Sequence, residues 1–238
     1  MMETTAGFLL GGRVRYAQPV QGYRTGIEPV LLAASIPAQP GQRVLEAGTG
    51  AGAALLCLHA RVPGLSGIGI EKDPGMADLA RQNLADNGAP FSILTADITE
   101  APPLPPFDHV FANPPWHDPA STRPPNPRRD AATHQAANGL ANWTRSLAAL
   151  MAPKATLTLI LPAALAAEAI ATLHATGLRR QTLLPLWPRQ NQPAKIVVLQ
   201  ATLNPGPARI APGLTLHEGA AYSPETEQVL RHGASLPL

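Results

Sequence analysis

The sequence predicts a doubly wound α/β fold, a mostly parallel sheet with crossover helices on both faces and an antiparallel hairpin at its C-terminal edge. Three observations predict it. From Arg43 onward, short apolar runs alternate with segments of helical period; glycines and prolines punctuate the boundaries between them; and the last two apolar runs have no helix between them.

Taken in order, Arg43–Ala47 reads as a strand, followed by a glycine turn and a helix from about Gly52 to Arg61. Ser66–Glu71 is a second strand. Pro74–Asn87 is a helix, opened by proline in its first turn and closed by Gly88. Phe91–Thr95 and Phe107–Ala112 are strands, Leu140–Met151 a helix, Ala155–Leu161 a strand, and Ala163–Thr176 a helix ended by Gly177. Arg179–Leu186 and Lys195–Thr202 are the final strands. Only Trp187 to Ala194 lie between them, so they pair antiparallel, because a parallel pair needs a crossover of about a dozen residues or more. Ahead of the sheet, Phe8–Tyr16 reads as a small hairpin and Glu28–Ser35 as a short helix. The prolines at 119, 124, 125 and 127 mark an irregular, mobile loop. Residues 1–42 thus form an N-terminal hairpin and helix and residues 43–238 the α/β domain, together one globular unit.

Composition narrows the class. The chain has 238 residues, of which 45% are hydrophobic and 14% charged, which excludes a disordered chain. A net charge of +2 supplies no broad basic field, so charge alone does not announce a nucleic-acid binder. The single cysteine, Cys57, excludes an internal disulfide framework and reads as a small buried hydrophobe. The apolar run 155–167 is interrupted by Pro162 and too short to span a bilayer, and the N-terminus lacks a signal-peptide pattern; a soluble, cytoplasmic protein is expected. His117 and Asp118 have no second histidine at ligand spacing, and no metal site is expected.

The chemistry begins where the first strand meets its helix, at Glu46-Ala47-Gly48-Thr49-Gly50-Ala51-Gly52. Glycines there allow a sharp turn and close approach of a ligand to the backbone. The second strand ends in Glu71, 21 residues beyond Gly50, where a carboxylate can accept from both ribose hydroxyls. Gly48, Gly50 and Ala53 also satisfy a dinucleotide pattern, so NAD is one reading and an oxidoreductase its consequence. Glu46 favours S-adenosylmethionine instead: a carboxylate two residues before the first glycine suits an ammonium or sulfonium and repels a pyrophosphate. Asp97, after the third strand, can accept from the adenine amine of either cofactor.

The fourth strand delivers Asn113-Pro114-Pro115-Trp116 at its carboxyl end. This segment resembles that of the class I, S-adenosylmethionine-dependent methyltransferases acting on planar amino groups. A conjugated exocyclic amine is a poor nucleophile. The resemblance implies that the Asn113 side-chain oxygen and the Pro114 carbonyl each accept one of its N–H groups, that Pro114 and Pro115 hold these acceptors in place, and that Trp116 stacks on an extruded base.

Within that superfamily the chain is similar along nearly its whole length to bacterial tRNA adenine-N6 methyltransferases, which modify the adenine beside the anticodon of a valine tRNA. The similarity includes Gly22-Tyr23-Arg24-Thr25-Gly26-Ile27-Glu28, a segment that in such enzymes closes over the cofactor, and Tyr222-Ser223-Pro224-Glu225 near the end. That family commonly has Asp at the positions of Glu28 and Glu46, and tyrosine or phenylalanine at that of Trp116. The resemblance implies cofactor contacts from Arg24, Glu46, Gly48, Thr49, Gly50, Gly52, Glu71, Asp97 and Asn113, and an RNA substrate, with tRNA first. Ribosomal RNA guanine-N2, a protein glutamine amide, and a cofactor-binding protein without catalysis remain as alternatives. Arg128 and Arg129 follow the motif as candidate phosphate contacts, with Arg179, Arg180, Arg189 and Lys195 on the final hairpin as a candidate extension. Trp143 and Trp187 read as core residues.

Overall fold

A computed structural model describes residues 2–21, 24–114, 136–236 and 238, with the backbone alone at 136–139. The chain opens with β1 (Thr4–Leu9) and β2 (Val14–Pro19), an antiparallel pair standing apart from the main sheet. Then follow α1 (Glu28–Ala34), β3 (Arg43–Ala47), α2 (Ala53–Arg61), β4 (Ser66–Glu71), α3 (Pro74–Asp86), β5 (Phe91–Thr95) and β6 (Phe107–Ala112). After the motif come α4 (Ala136–Ala149), β7 (Met151–Pro162), α5 (Ala166–Ala175), β8 (Arg179–Arg189) and β9 (Ile196–Thr202). The chain ends with β10 (Arg209–Ile210), β11 (Leu214–Glu218), β12 (Ala221–Tyr222) and α6 (Pro224–His232).

The main sheet runs β12-β11-β8-β9-β7-β6-β3-β4-β5, with β10 also on β8. Strands β5, β4, β3, β6 and β7 are parallel, and β9 is antiparallel to both β7 and β8, as the short connection demands. The sequence gives no sign of β10, β11 and β12, and the structure adds them at the edge: β11 pairs parallel to β8, with Leu214 opposite Leu186. The pleat sorts side chains cleanly. Val44, Phe111, Ile160, Leu184, Leu186 and Val198 enter one core with α1, α2 and α6. Leu45, Ala47, Val110, Ala112, Leu159 and Leu199 enter the other with α4 and α5.

The N-terminal pair is clamped to the sheet by Asn83 of α3, which is 1% exposed. Its Oδ1 accepts from the Ala17 N–H, and its amide donates to the carbonyls of Ala17 and Ala51. One side chain therefore joins β2 to the glycine turn. His109 is buried and bonded to Thr156 and Gln42, and Cys57 is fully enclosed, its thiol pushed up by burial. Among the described residues, no helix is long and apolar enough to cross a membrane. Gly22, Tyr23, Pro115, Trp116, Arg128, Arg129 and the proline-rich stretch 119–127 lie outside the described residues.

Candidate active site

In the sheet register Ala47 pairs with Ala112, so Gly48 and Asn113 leave neighbouring parallel strands side by side. Strand spacing sets their backbones about 5 Å apart. The first glycine of the turn and the first residue of the Asn-Pro-Pro segment are thus brought together by the topology alone.

The turn itself is a set of left-handed glycines, with φ of +68° at Gly48, +56° at Gly50 and +87° at Gly52. A side chain at these positions would strain the backbone. The N–H groups of Gly48 and Thr49 both donate to the Ile70 carbonyl, at 2.8 and 3.1 Å, tying the turn to the end of β4. Glu71 completes that tie: its Oε2 accepts from the Gly50 N–H at 2.8 Å, and its Oε1 from the Asp73 N–H at 2.9 Å. Each carboxylate oxygen keeps a further lone pair, which is what a ribose diol requires.

Glu46 points to the α2 side of the sheet and is 3% exposed. Its carboxylate accepts from Thr49 Oγ1 at 2.6 Å and from the Leu55 N–H in the first turn of α2. Gly52, the residue before α2, has no side chain to cap the helix, and Glu46 supplies the missing acceptor. Burial pushes the Glu46 carboxyl up to about 8; the bonds from Thr49 and Leu55 oppose that rise and the nearby Glu71 adds to it. No cation neutralises it among the described residues. A buried acid without a counter-ion, beside an open glycine turn, suits a positively charged ligand.

Asp97 stands at the end of β5, where its Oδ1 accepts from the N–H and hydroxyl of Thr99 at 2.9 and 2.8 Å. Partial burial pushes its carboxyl up, but the two Thr99 bonds and Lys72 outweigh that and hold it below the usual carboxylate range. Asp97 is therefore anionic, with Oδ2 available. Asn113 is half-buried, and its amide has no hydrogen-bond partner among the described residues. Arg24 is exposed, and the neighbouring Thr25 is tied to Tyr16 and Gln18 of β2, not to the glycine turn.

Trp143, expected in the core, packs half-buried against the core of α4 and α5, and its indole also lies over Gly48, so close that a Cβ there would sit 3.2 Å from the ring. Sequence spacing carries no signal for this contact, which joins α4 to a turn almost a hundred residues earlier.

Comparisons with known proteins bear on the fold that carries this geometry. The methyltransferase small domain family matches residues 27–138. Two curated relatives, from two strains of Porphyromonas gingivalis and both named tRNA1(Val) (adenine(37)-N6)-methyltransferase, are 32% identical over 152 residues and 33% over 156. The aligned part is 58% of this chain, and the chain spans only 58% of the length of those relatives. A crystal structure described as a predicted O-methyltransferase from Agrobacterium tumefaciens superposes with a TM-score of 0.72 at 25% identity, covering 89% of this chain and 99% of that one. A TehB-like S-adenosylmethionine-dependent methyltransferase from Corynebacterium glutamicum shares the fold at a TM-score of 0.56 and 16% identity, over 76% of this chain and 89% of its own. The family and the fold imply S-adenosylmethionine as methyl donor. The segment that matches the methyltransferase small domain family, residues 27–138, holds the glycine turn, Glu71, Asp97 and Asn113.

Proposed function

We propose that this chain is an S-adenosylmethionine-dependent N-methyltransferase whose target is the exocyclic N6 of an adenine in tRNA. The observation that carries the reading is the pairing of Ala47 with Ala112, which sets the Asn113 amide, without a partner among the described residues, beside the glycine turn. The names of the Porphyromonas relatives support the choice of adenine and tRNA.

The residues present fit the cofactor. Glu71 would take the ribose hydroxyls, Asp97 the adenine amine, and the glycine turn the chain between them, with Glu46 beneath it as the compensating negative charge. Bound there, S-adenosylmethionine supplies an electrophilic methyl group on a sulfonium. Asn113 Oδ1 and the Pro114 carbonyl accept the two N–H groups of the target amine, turning its lone pair out of conjugation and toward the turn. Both acceptors are neutral, so they orient the amine without needing to deprotonate it. Asn113 offers no base for a hydroxyl substrate, which separates this site from oxygen methylation. Trp116 stacks on the extruded base, and Arg128 and Arg129 contact its flanking phosphates. Arg24 contributes from the segment that precedes α1.

Two measurements test this reading. Nucleoside mass spectrometry of tRNA from a strain lacking the gene should show loss of N6-methyladenosine, restored in vitro by the purified protein. Label entering ribosomal RNA or a protein instead would overturn the substrate. Calorimetry on Glu71→Ala should show S-adenosylmethionine binding weakened by about 10- to 100-fold, since hydrogen bonds to a charged group contribute about 1.5–3 kcal/mol. Wild-type protein that binds NAD and not S-adenosylmethionine would return the oxidoreductase reading.

A further inference from the structure

Residues 169–217 contain five Lys or Arg residues and no Asp or Glu, in a chain whose net charge is only +2. The sheet register divides these cations between two ends. Arg179 pairs with Thr202, at the end of the sheet opposite Asn113. Arg189 lies at the other end: Ala112 pairs with Leu159, Leu159 with Leu199, and Leu199 with Leu183. From Leu183 the strand β8 continues to Arg189, so it rises about 20 Å beyond the level at which β6 releases Asn113. The turn joining β8 to β9 forms a wall beside the candidate active site, three strands away from β6.

The face of that wall is decided by alternation. Leu184 and Leu186 enter the core with α1 and α6, so Trp187 and Arg189 face the α4–α5 side, the side on which α4 follows the Asn-Pro-Pro segment. Lys195, one residue before Ile196, shares it, since Ile196 pairs with Leu186. His217 pairs with both Arg189 and Tyr222, and the His217 and Tyr222 rings stack with centroids 4.8 Å apart. Trp187 donates to the Pro212 carbonyl and Arg189 to that of Gly219, bracing the edge. Arg189 and Lys195 are exposed, and Gln190, Asn191 and Gln192 between them are exposed amides. Glu218, beside His217, is the nearest carboxylate along β11.

We propose that this wall is an RNA-docking surface: Arg189 and Lys195 hold phosphates of the RNA several nucleotides away from the target base, and the amides of the turn contact the exposed loop nucleotides. The proposal rests on the RNA reading above and adds where the RNA lies. Two cations, three amides and a stacked ring pair without an interleaved acid match a polyanion with exposed bases. The remainder of the chain outside 169–217 carries more acidic than basic residues, so this acid-free stretch adds phosphate affinity to that of Arg128 and Arg129.

The test measures anisotropy of a fluorescein-labelled tRNA anticodon stem-loop against salt, together with methyl transfer to bulk tRNA. The pair R189E/K195E should weaken RNA binding at least about tenfold and reduce the slope of log Kd against log salt by about 1–2, leaving S-adenosylmethionine affinity unchanged. R180E, at the opposite end, should change RNA affinity less than twofold. If the glutamates disturb the hairpin, R189Q/K195Q should show the same direction at smaller size. Unchanged RNA affinity in both pairs overturns the surface while leaving the methyltransferase reading intact. Binding that depends on the hairpin without methyl transfer to RNA supports the surface and overturns the substrate. A wild-type protein that does not bind RNA at low salt overturns both.

Discussion

Asn113→Ala is expected to reduce methyl transfer by at least about a thousandfold while changing S-adenosylmethionine affinity less than threefold. The amide has no partner among the described residues, so its removal breaks no hydrogen bond among them. On the proposed reading, what is lost is an acceptor for one N–H of the target amine. Orientation of a weak nucleophile accounts for a large share of a transfer barrier, and misplacement by about 1 Å can cost about 100-fold. Loss of the acceptor adds the poorer rehybridisation of nitrogen as its lone pair leaves conjugation. Asn113→Asp preserves an acceptor and should recover part of the rate, a response that a structural role would not give. Single-turnover kinetics with calorimetry separates these effects. An alanine variant with near-normal turnover would remove Asn113 from the reaction.

The central strands were legible because each is a short apolar run bounded by glycine, proline or charge. Arg43–Ala47, Ser66–Glu71, Phe91–Thr95 and Phe107–Ala112 are found with the bounds the sequence predicts. Val44, Leu45, Val110 and Phe111 are fully buried, and the apolar pattern of β3 and β6 ends where that burial ends. Glu46 in β3 and His109 in β6 are buried polar residues within these strands, and Glu46 is the one that leads into the glycine turn. Helix α4 begins at Ala136, four residues earlier than expected, and β7 at Met151 instead of Ala155, since Pro153 and Lys154 disguise its first turn of pleat. The edge strands β10 and β12 are two residues long, too short for any period. Helix α6 did carry signals: Ser223 accepts from the Thr226 N–H, Pro224 stands first, and Gly233 closes it at φ +70°. With only a few apolar residues between those caps, the segment is polar on average, and its amphipathic period was overlooked.

The candidate site divides in the same way. Glu71, Asp97 and Asn113 were legible because they lie at the carboxyl ends of strands, where a doubly wound sheet exposes its loops. The Asn83 clamp and the Trp143 contact with Gly48 were not, since both join segments far apart in sequence. The four cations of the last hairpin looked equivalent in a row. Only the antiparallel register sends Arg189 and Lys195 to the Asn113 end and Arg179 and Arg180 away from it.

Glu46 gives the second large effect, and its sign is fixed by burial. In the unligated protein its carboxyl is pushed up to about 8, so at pH 6 it holds a proton. A cationic ligand above it favours the carboxylate, so binding below pH 8 releases that proton. S-adenosylmethionine affinity should therefore rise with pH, by at most about tenfold per unit, from pH 6 until it levels near 8. Stability of the unligated protein moves the opposite way. An unfolded Glu ionises from about 4.5, whereas folded Glu46 resists until about 8, so its contribution is full below 4.5 and is lost progressively up to about 8. Thermal stabilisation by S-adenosylmethionine should consequently be largest at pH 8 and above, where the bare protein is weakest and the ligand tightest. Glu46→Gln keeps the Thr49 and helix contacts but cannot ionise; it should flatten both profiles and hold affinity at or below the wild-type value at pH 6. Calorimetry in buffers of different ionisation enthalpy counts the proton directly. Binding that is independent of pH between 6 and 8, with no proton released, would show that Glu46 caps α2 and does nothing for the ligand.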